Sequence, residues 1–316
     1  MTTLAPHRRI ANDLHELIGN TPLVRLALPG VDASVDVLAK LESHNPYASS
    51  KDRAALYMLR GAEERGDLPP GGTVIEATSG NTGIALAAMA ATRGHRCIVV
   101  LPDSATPERV GLLRALGAVI VQTPSADGLA AAIAEAERIE RSTPGSWYSR
   151  QHENADNVRA HYETTGPEIW ADTGGRVDVL VCGVGTGGTL TGAGRRLKEH
   201  NPDLTVVAVE PENSPVLSQG FGGRHRIPGL NGGFVSPTTD VSLIDEVVTC
   251  PDEAALETAR RLTRHQGIFA GLSSGAAVYG ATLVARRPEL AGRTVVTLLP
   301  DTGERYVSIW NEGESA

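Results

Sequence analysis

The sequence predicts an α/β protein made of two doubly wound units, with the active site in the cleft between them. Apolar, β-rich runs alternate with helical patterns almost throughout, and the strands are apolar enough to be buried on both faces, as in a parallel sheet covered by helices. The length of 316 residues exceeds that of one ordinary domain. Ligands of such folds bind at the carboxyl ends of the strands, so we expect the site there.

The first unit is predicted between residues 73 and 141. Runs rich in valine and isoleucine indicate its strands, and the longer segments between these runs indicate helices. In order, the predicted elements are strand 73–76, helix 83–92, strand 96–101, helix 107–116, strand 118–122 and helix 126–141. A strand ending near Glu42 and a helix starting near Asp52 precede them.

The second unit is predicted between residues 177 and 299. In order, its elements are strand 177–182, helix 187–200, strand 205–210, helices 251–266 and 274–286, and strand 293–299. The stretch between Glu210 and Asp240 contains ten glycine or proline residues and has little periodicity. We therefore predict a long functional loop in that stretch.

Composition narrows the classes of function. The net charge is −8 and no segment carries a basic cluster, which argues against a nucleic-acid partner. Apolar stretches are too short to span a bilayer and none resembles a signal peptide, so we expect no membrane association and a cytoplasmic location. The three cysteines and nine histidines lack the spacing of a disulfide framework or a metal site, so we expect no metal.

Lysine is scarce, which draws attention to Lys51. Among 29 basic residues only Lys40, Lys51 and Lys198 are lysines, so few side chains can form a Schiff base. Lys51 lies in the segment 45–53, at the start of a predicted helix, where the helix dipole and free amides oppose a positive charge and lower the pKa of the amine. Such an amine is suited to attack a carbonyl carbon. A solvated lysine in a helix cap is the alternative.

Three further segments each lead into a predicted helix. Residues 78–83 and 182–189 combine glycines, hydroxyls and free backbone N–H groups, a composition that binds carboxylates or phosphates. An ordinary capped helix is the alternative for residues 78–83. Residues 270–276 contain a serine that by itself indicates an N-cap.

The second of these segments also supports a rival function. Gly183, Gly185 and Gly188 match the dinucleotide-binding pattern G-x-G-x-x-G, and Glu210 ends the next strand about twenty residues later. This pattern predicts an NAD-dependent oxidoreductase.

Together the segments resemble the cysteine synthase family, the O-acetylserine sulfhydrylases of the fold-type II pyridoxal-phosphate enzymes. The resemblance runs nearly from end to end, with many motifs in the same order. They are residues 18–24, 45–53 and 78–83, Gln151 with Asn154, and residues 161–169, 185–189, 271–276 and 299–306. A dehydrogenase explains only the segment 182–189, so the resemblance is the stronger interpretation.

The resemblance implies pyridoxal 5'-phosphate as the cofactor and assigns roles by position. Lys51 is implied to hold the cofactor as a Schiff base and to act as the catalytic base. The other implied cofactor-binding residues are Gly185, Thr186, Gly187, Gly188 and Thr189 around the phosphate, Asn81 at the ring hydroxyl and Ser273 at the pyridine nitrogen. The implied substrate-binding residues are Thr78, Ser79, Gly80, Thr82, Gln151 and Asn231.

The implied reaction is β-replacement on an O-activated L-serine, in the first instance O-acetyl-L-serine with sulfide, giving L-cysteine. O-phosphoserine as donor, or thiosulfate, homocysteine or an amine as nucleophile, is the alternative. The family also implies a homodimer, the C-terminal tail of serine acetyltransferase as a partner, a smaller mobile unit over residues 45–153, and a larger unit over residues 13–44 plus 154–312.

Three positions depart from the family pattern. Ser50 stands where a bulkier apolar residue is usual, and Ala77 replaces a common proline. In the segment 229–234, Asn231 puts an amide where the family has glycine, at the expected mouth of the site. For Asn231, neutral drift in a loop and an altered choice of donor or nucleophile are both open explanations.

Overall fold

Two β-sheets organise the chain, and the computed structural model describes residues 10–78 and 80–310. The strands are β1 (Leu23–Arg25), β2 (Asp36–Leu41), β3 (Thr73–Ala77), β4 (Arg96–Pro102), β5 (Val119–Thr123), β6 (Ser146–Tyr148), β7 (Val179–Gly183), β8 (Thr205–Pro211), β9 (Glu246–Cys250) and β10 (Thr294–Leu299). The larger sheet has the order β1-β2-β10-β7-β8-β9, and the smaller has the order β5-β4-β3-β6. Every pairing is parallel except that of β1 with β2.

Helices cover both sheets. They are α1 (Lys51–Arg65), α2 (Asn81–Arg93), α3 (Pro107–Ala115), α4 (Gly128–Ser142), α5 (Ala155–Ala160), α6 (Gly166–Asp172), α7 (Gly188–His200), α8 (Asp252–Gln266), α9 (Leu272–Ala285) and α10 (Val307–Trp310). A π-helical turn, His161–Thr165, joins α5 to α6. Short 3₁₀ turns are Leu14–Leu17, Glu42–His44, Ser125–Asp127, Val241–Leu243, Pro288–Leu290 and Gly303–Tyr306. Within the described ranges, no helix has the length and apolar character needed to cross a membrane.

The prediction of two α/β units is confirmed, and each bounded element is present with its ends within two residues of those expected. The lysine segment leads into α1, which begins at Lys51 itself. Between Pro211 and Val241 the chain forms no helix or strand, as predicted for the long loop. The elements that were not predicted are β1, β6, β9, α5, α6 and α10, which are short or carry polar residues.

Both faces of each sheet are buried, which explains the unbroken apolar runs. In β3, Val74 packs into the core beneath α1 and α2, while its neighbour Ile75 packs into the core beneath α4. In β7, Val181 and Leu180 face opposite cores in the same way. Because successive side chains of a strand point to opposite faces, a strand buried on both faces must be apolar at every position.

The carboxyl ends of three strands lead directly into the predicted functional segments. β3 ends at Ala77, one residue before Thr78, and β7 ends at Gly183, in the glycine-rich segment. β10 ends at Leu299, two residues before Asp301. Because parallel strands end at the same edge of their sheet, this topology brings segments distant in sequence to one cleft.

Candidate active site

A cleft of about 810 Å³ collects residues from both sheets. The predicted site residues that line it are Lys51, Thr78, Gly80, Asn81, Thr82, Gln151, Gly185, Thr186, Gly187, Thr189, Asn231 and Ser273. Gly188 begins α7 behind the cleft wall, where a Cβ atom would collide with the side chain of Asn157. Ser79 lies outside the described residues.

Lys51 occupies the first position of α1, as expected from the sequence. Burial is the largest influence on its amine and lowers the pKa, while the negative charges of Asp301 and Glu42 oppose this shift. The position of Lys51 was predictable from the sequence, but burial, which the sequence did not reveal, also lowers the pKa of its amine. A lysine amine with a lowered pKa is more readily neutral and nucleophilic.

An ion cluster anchors the base of α1. Arg53, two residues after Lys51, is fully buried and bonds two carboxylates. Its Nε lies 2.8 Å from Glu42 Oε2, and its Nη1 lies 2.6 Å from Glu168 Oε1. Lys40 Nζ lies 3.0 Å from Glu168 Oε2. These contacts tie the start of α1 to the turn after β2 and to α6, and so help to fix the position of Lys51.

The loop after β3 is tied to Gln151 by side-chain hydrogen bonds. Thr82 Oγ1 donates to Gln151 Oε1 at 2.7 Å, and Gln151 Nε2 donates to Glu76 Oε1 at 2.8 Å. The second oxygen of Glu76 accepts from Ser149 Oγ. Glu76 therefore fixes the orientation of the Gln151 amide and leaves one of its N–H hydrogens for a ligand.

Glu76 was not among the predicted site residues. It is fully buried in β3, and burial raises the pKa of its carboxyl to about 7, against the opposing effect of the hydrogen bonds from Ser149 and Gln151. The available signal was a carboxylate inside an apolar strand, just before a polar loop. Such a residue requires buried partners, which the sequence alone did not identify.

Glu76→Gln is expected to change how stability depends on pH. A carboxyl whose pKa is raised in the folded state stabilises the fold below its ordinary pKa of 4.5, and this contribution is lost as the pH rises through about 7. The variant has no ionisable group at this position. The difference in thermal midpoint, variant minus wild type, should therefore increase as the pH rises from 5 to 8. The full shift in pKa corresponds to about 3 kcal/mol in the free energy of unfolding.

Melting curves of both proteins across this pH range test the prediction. Burial also raises the pKa of Asp52 to about 7, so both proteins keep some pH dependence and the difference between them is the readout. Glu64→Gln, at an exposed position of α1, is the matched control and should track the wild type. Parallel curves for Glu76→Gln and wild type would contradict the prediction.

The glycine-rich segment leads into the N-terminus of α7. Gly187 has φ +81°, and a Cβ atom there would collide with Thr239. A Cβ atom at Gly185 would meet the carbonyl oxygen of Gly229. The first amide groups of a helix lack intrahelical acceptors, and together with the hydroxyls of Thr186 and Thr189 they provide donors suited to a phosphate.

Asn157 connects this segment to Gln151 and was missed by the sequence argument. It is buried in α5, and its Nδ2 donates to Thr186 Oγ1 at 3.0 Å and to the carbonyl oxygen of Gln151 at 2.9 Å. The predicted anion-binding segment and the predicted carboxylate-binding residue are therefore held by one amide. The sequence motif named the neighbouring Asn154 instead, which caps α5.

The amide of Asn81 is held from the C-terminal part of the chain. Its Nδ2 donates to Asp301 Oδ2 at 2.7 Å, and its Oδ1 accepts from Arg305 Nη1 at 2.5 Å. Tyr306 also donates to Asp301 Oδ2. The other carboxylate oxygen of Asp301 is buried without a partner in the described part of the chain. The arrangement leaves one Asn81 amide hydrogen for a ligand.

Asn231 and Ser273 lie in the same wall of the cleft. Asn231 Oδ1 accepts from Ser214 Oγ at 2.8 Å and from the backbone N–H of Gly233 at 3.1 Å, and its Nδ2 donates to the carbonyl oxygen of Ser214 at 2.9 Å. Its amide therefore shapes the long loop, with one hydrogen left for the predicted substrate contact. Ser273, the second residue of α9, is also buried in the wall.

Binding of a dinucleotide such as NAD would require Glu210 to be free to bond a ribose, and the structure shows that it is not. Glu210 is fully buried, and its carboxylate accepts from the backbone N–H groups of Leu217 at 2.7 Å and Ser218 at 3.0 Å. It holds the loop after β8 and is not free for a ribose. No cluster of three or more potential metal ligands occurs in residues 10–78 and 80–310.

Comparison with known proteins agrees with this geometry. The family model described as pyridoxal-phosphate dependent enzyme matches residues 14–301. A cysteine synthase of Haemophilus influenzae is 47% identical over 299 residues, covering 92% of this chain and 94% of the relative. The crystal structure of a cysteine synthase from Entamoeba histolytica has a TM-score of 0.94 at 37% identity, covering 100% and 94% of the two chains. That of an O-ureido-L-serine synthase has a TM-score of 0.93 at 42% identity, covering 97% of each. The chain belongs to the cysteine synthase family of pyridoxal-phosphate-dependent enzymes.

Proposed function

We propose that the protein forms L-cysteine by replacing the acetoxy group of O-acetyl-L-serine with sulfide, so that acetate leaves from the β-carbon. The observation that carries the proposal is the convergence in one cleft of Lys51, the loop after β3, Gln151 and the glycine-rich segment before α7. The cysteine synthase relatives supply the reaction type. The product retains the amino and carboxyl groups of serine, so the site must hold both while the β-carbon exchanges its substituent.

The residues of the cleft fit pyridoxal 5'-phosphate. The N-terminal amides of α7 and the hydroxyls of Thr186 and Thr189 would hold the phosphate, in a segment where Cβ atoms at the glycines would collide with neighbours. Lys51 offers the amine for the carbonyl carbon, Asn81 an amide hydrogen for the ring oxygen, and Ser273 a hydroxyl for the ring nitrogen. When bound, the cofactor withdraws electrons from the α-carbon of the amino acid.

Different residues of the cleft bind the substrate and transfer its proton. Thr78, Gly80, Thr82 and Gln151 bind the substrate carboxylate through their N–H and O–H groups, and Ser79 is proposed beside them from the sequence. Lys51 takes the proton from the α-carbon as a general base and later returns it. Its lowered pKa favours the neutral amine needed for the first of these transfers. Ser273, a neutral residue, is proposed to favour elimination over side reactions.

The organisation of the whole protein is part of the proposal. We propose a smaller mobile unit over residues 45–153 and a larger unit over residues 13–44 plus 154–312, whose last two residues lie outside the described part. A homodimer and binding of the serine acetyltransferase C-terminal tail in the cleft follow from the family. We propose the cytoplasm as the location, where free thiols such as the three buried ones persist under reducing conditions.

The visible absorption spectrum tests the proposed function directly. The purified protein should be yellow, and its spectrum should change when O-acetylserine is added without a nucleophile. Adding sulfide should then restore the first spectrum and yield cysteine. A yellow protein that ignores O-acetylserine would contradict the donor, and a colourless protein that pyridoxal phosphate cannot reconstitute would contradict the whole proposal.

A second candidate keeps the reaction type and changes the donor or the nucleophile. The likeness to an O-ureido-L-serine synthase favours it, as do the departures at Ser50 and Asn231, both buried in the cleft wall. Parallel assays with O-phosphoserine as donor, and with thiosulfate or homocysteine as nucleophile, distinguish the candidates. Faster turnover with any of these than with O-acetylserine and sulfide would support the second.

A further inference from the structure

His152 is a cleft residue to which the proposed function gives no role. It follows Gln151 in sequence, and its half-buried side chain lines the cleft. In the sequence the nine histidines showed no ligand spacing, and no pattern singled out His152. A histidine in the wall of a reactive cleft requires an explanation in terms of its two ring nitrogens.

The imidazole is held in place on several sides. Its Nδ1 lies 2.7 Å from the hydroxyl of Ser236, which is itself buried. Its backbone carbonyl accepts from the N–H and the hydroxyl of Thr238, each at 3.2 Å, and the same hydroxyl donates to the carbonyl oxygen of Thr186 at 2.6 Å. The ring also contacts Phe234, with centroids 5.2 Å apart. The side chain is therefore oriented before any ligand arrives.

The second ring nitrogen has no such partner. Nε2 of His152 makes no hydrogen bond to any residue in the described ranges, whereas two comparable histidines use both nitrogens. His161 bonds Thr165 through Nδ1 and Thr189 through Nε2, and His225 bonds the backbone at Ile227 and Asn231. Since His152 lines the cleft, its Nε2 is left to hydrogen-bond a molecule bound there.

The imidazole of His152 lines the same cleft as the reactive amine of Lys51. Burial, together with the positive charge of Lys51, lowers the pKa of His152 to about 4, so the imidazole stays neutral at neutral pH. The ring also meets Phe234, which is 36% exposed. A small molecule that enters the cleft therefore meets a neutral imidazole that is already oriented.

We propose that His152 Nε2 binds the incoming nucleophile, a small protic molecule such as hydrogen sulfide, by a hydrogen bond beside the β-carbon of the substrate. The proposal rests on the proposed function, because only a replacement reaction needs a second substrate. The carboxylate of the first substrate already has its donors in the loop after β3 and in Gln151, so the imidazole is left for the second. A neutral ring also favours a neutral protic nucleophile over a dianion such as thiosulfate.

The two half-reactions separate this role from a general disturbance. In the first, O-acetylserine alone is mixed with the holoenzyme and the spectral change is timed. In the second, sulfide is titrated and the return of the spectrum is timed. For His152→Phe, which keeps a ring but loses the hydrogen bond, we expect a first half-reaction within about twofold of wild type and a half-saturating sulfide concentration about tenfold higher.

Two further variants sharpen the result. His152→Gln keeps a side chain that can hydrogen-bond and should recover part of the lost sulfide affinity. His225→Gln is the comparator, because His225 also lines the cleft but uses both nitrogens to hold the long loop, so both half-reactions should change together. In the wild type the second half-reaction should be faster with sulfide than with thiosulfate. In His152→Phe the ratio of these two rates should be smaller.

The outcomes separate the role of His152 from the proposed formation of cysteine. If the wild type responds to O-acetylserine but His152→Phe keeps the wild-type dependence on sulfide, the role of His152 is wrong and the proposed function stands. Equal slowing of both half-reactions in His152→Phe would likewise overturn the role, since it indicates a structural residue. If the wild type does not respond to O-acetylserine, the donor is wrong and the role of His152 falls with it.

Discussion

Lys51→Ala is expected to lower the rate of cysteine formation by about 10³-fold or more, because the variant has no amine to move the α-proton. The same change should remove the visible absorption that arises when the cofactor is joined to lysine. Two readouts therefore follow one substitution: turnover with O-acetylserine and sulfide, and the spectrum of the protein reconstituted with pyridoxal phosphate. Cofactor retained through the phosphate donors alone should dissociate on dialysis.

The scarcity of lysine provides the control for this experiment. Lys198 bonds Asp245 at 2.8 Å on the surface of α7, and Lys198→Ala should leave spectrum and turnover as in wild type. The third lysine, Lys40, is fully buried in the ion cluster, so its replacement would confuse stability with chemistry. A Lys51→Ala protein that keeps both the absorption and the turnover would overturn the assignment of Lys51.

The strands and the three functional segments were predictable because their signals are local. A strand buried on both faces is an apolar run that any window of the sequence reveals, as Val74 and Ile75 illustrate. The turn before α7 needs glycine at residue 187 for its positive φ, so its composition also shows in the sequence. By contrast, β6 has three residues, and β9 lies at the edge of its sheet with polar residues at half-buried positions, so neither gives a strong pattern.

The residues that orient the site were not predictable, because their partners are far away in the chain. Glu76 bonds Gln151 across 75 positions, and Asn81 bonds Asp301 across 220. Sequence patterns give the type of each side chain but not the atom that it will meet. The role of His152 likewise depends on Ser236, which is 84 positions away. Local patterns identified the loops of the site, and only the packed fold shows which groups hold them in place.

Arg53→Met is expected to lower the free energy of unfolding by about 3–5 kcal/mol, the cost of breaking a buried ion pair. Methionine fills much of the space of the arginine stem, but it leaves Glu42 fully buried without its cation and removes the bidentate partner of Glu168. The loss should appear as a lower urea midpoint. Because Arg53 lies one half-turn from Lys51 on α1, cofactor binding should weaken as well.

The pH dependence of this loss tests its electrostatic origin. Burial alone would raise the pKa of Glu42, but the charge and hydrogen bonds of Arg53 outweigh it and lower the pKa to about 2. A lowered pKa stabilises the fold above the ordinary value of 4.5, and that stability is lost as the pH falls toward 2. The stability lost in Arg53→Met should therefore be largest near pH 7 and shrink on acidification, because its unpaired Glu42 accepts a proton more readily.

Arg65→Met is the matched control. Arg65 lies on the same helix with a half-exposed side chain that pairs with Asp67 and Asp156, and its replacement should cost no more than about 1 kcal/mol. The prediction would be contradicted if both variants lost the same free energy of unfolding, or if the loss in Arg53→Met did not vary with pH. Either result would show that packing, and not the buried charges, stabilises the start of α1.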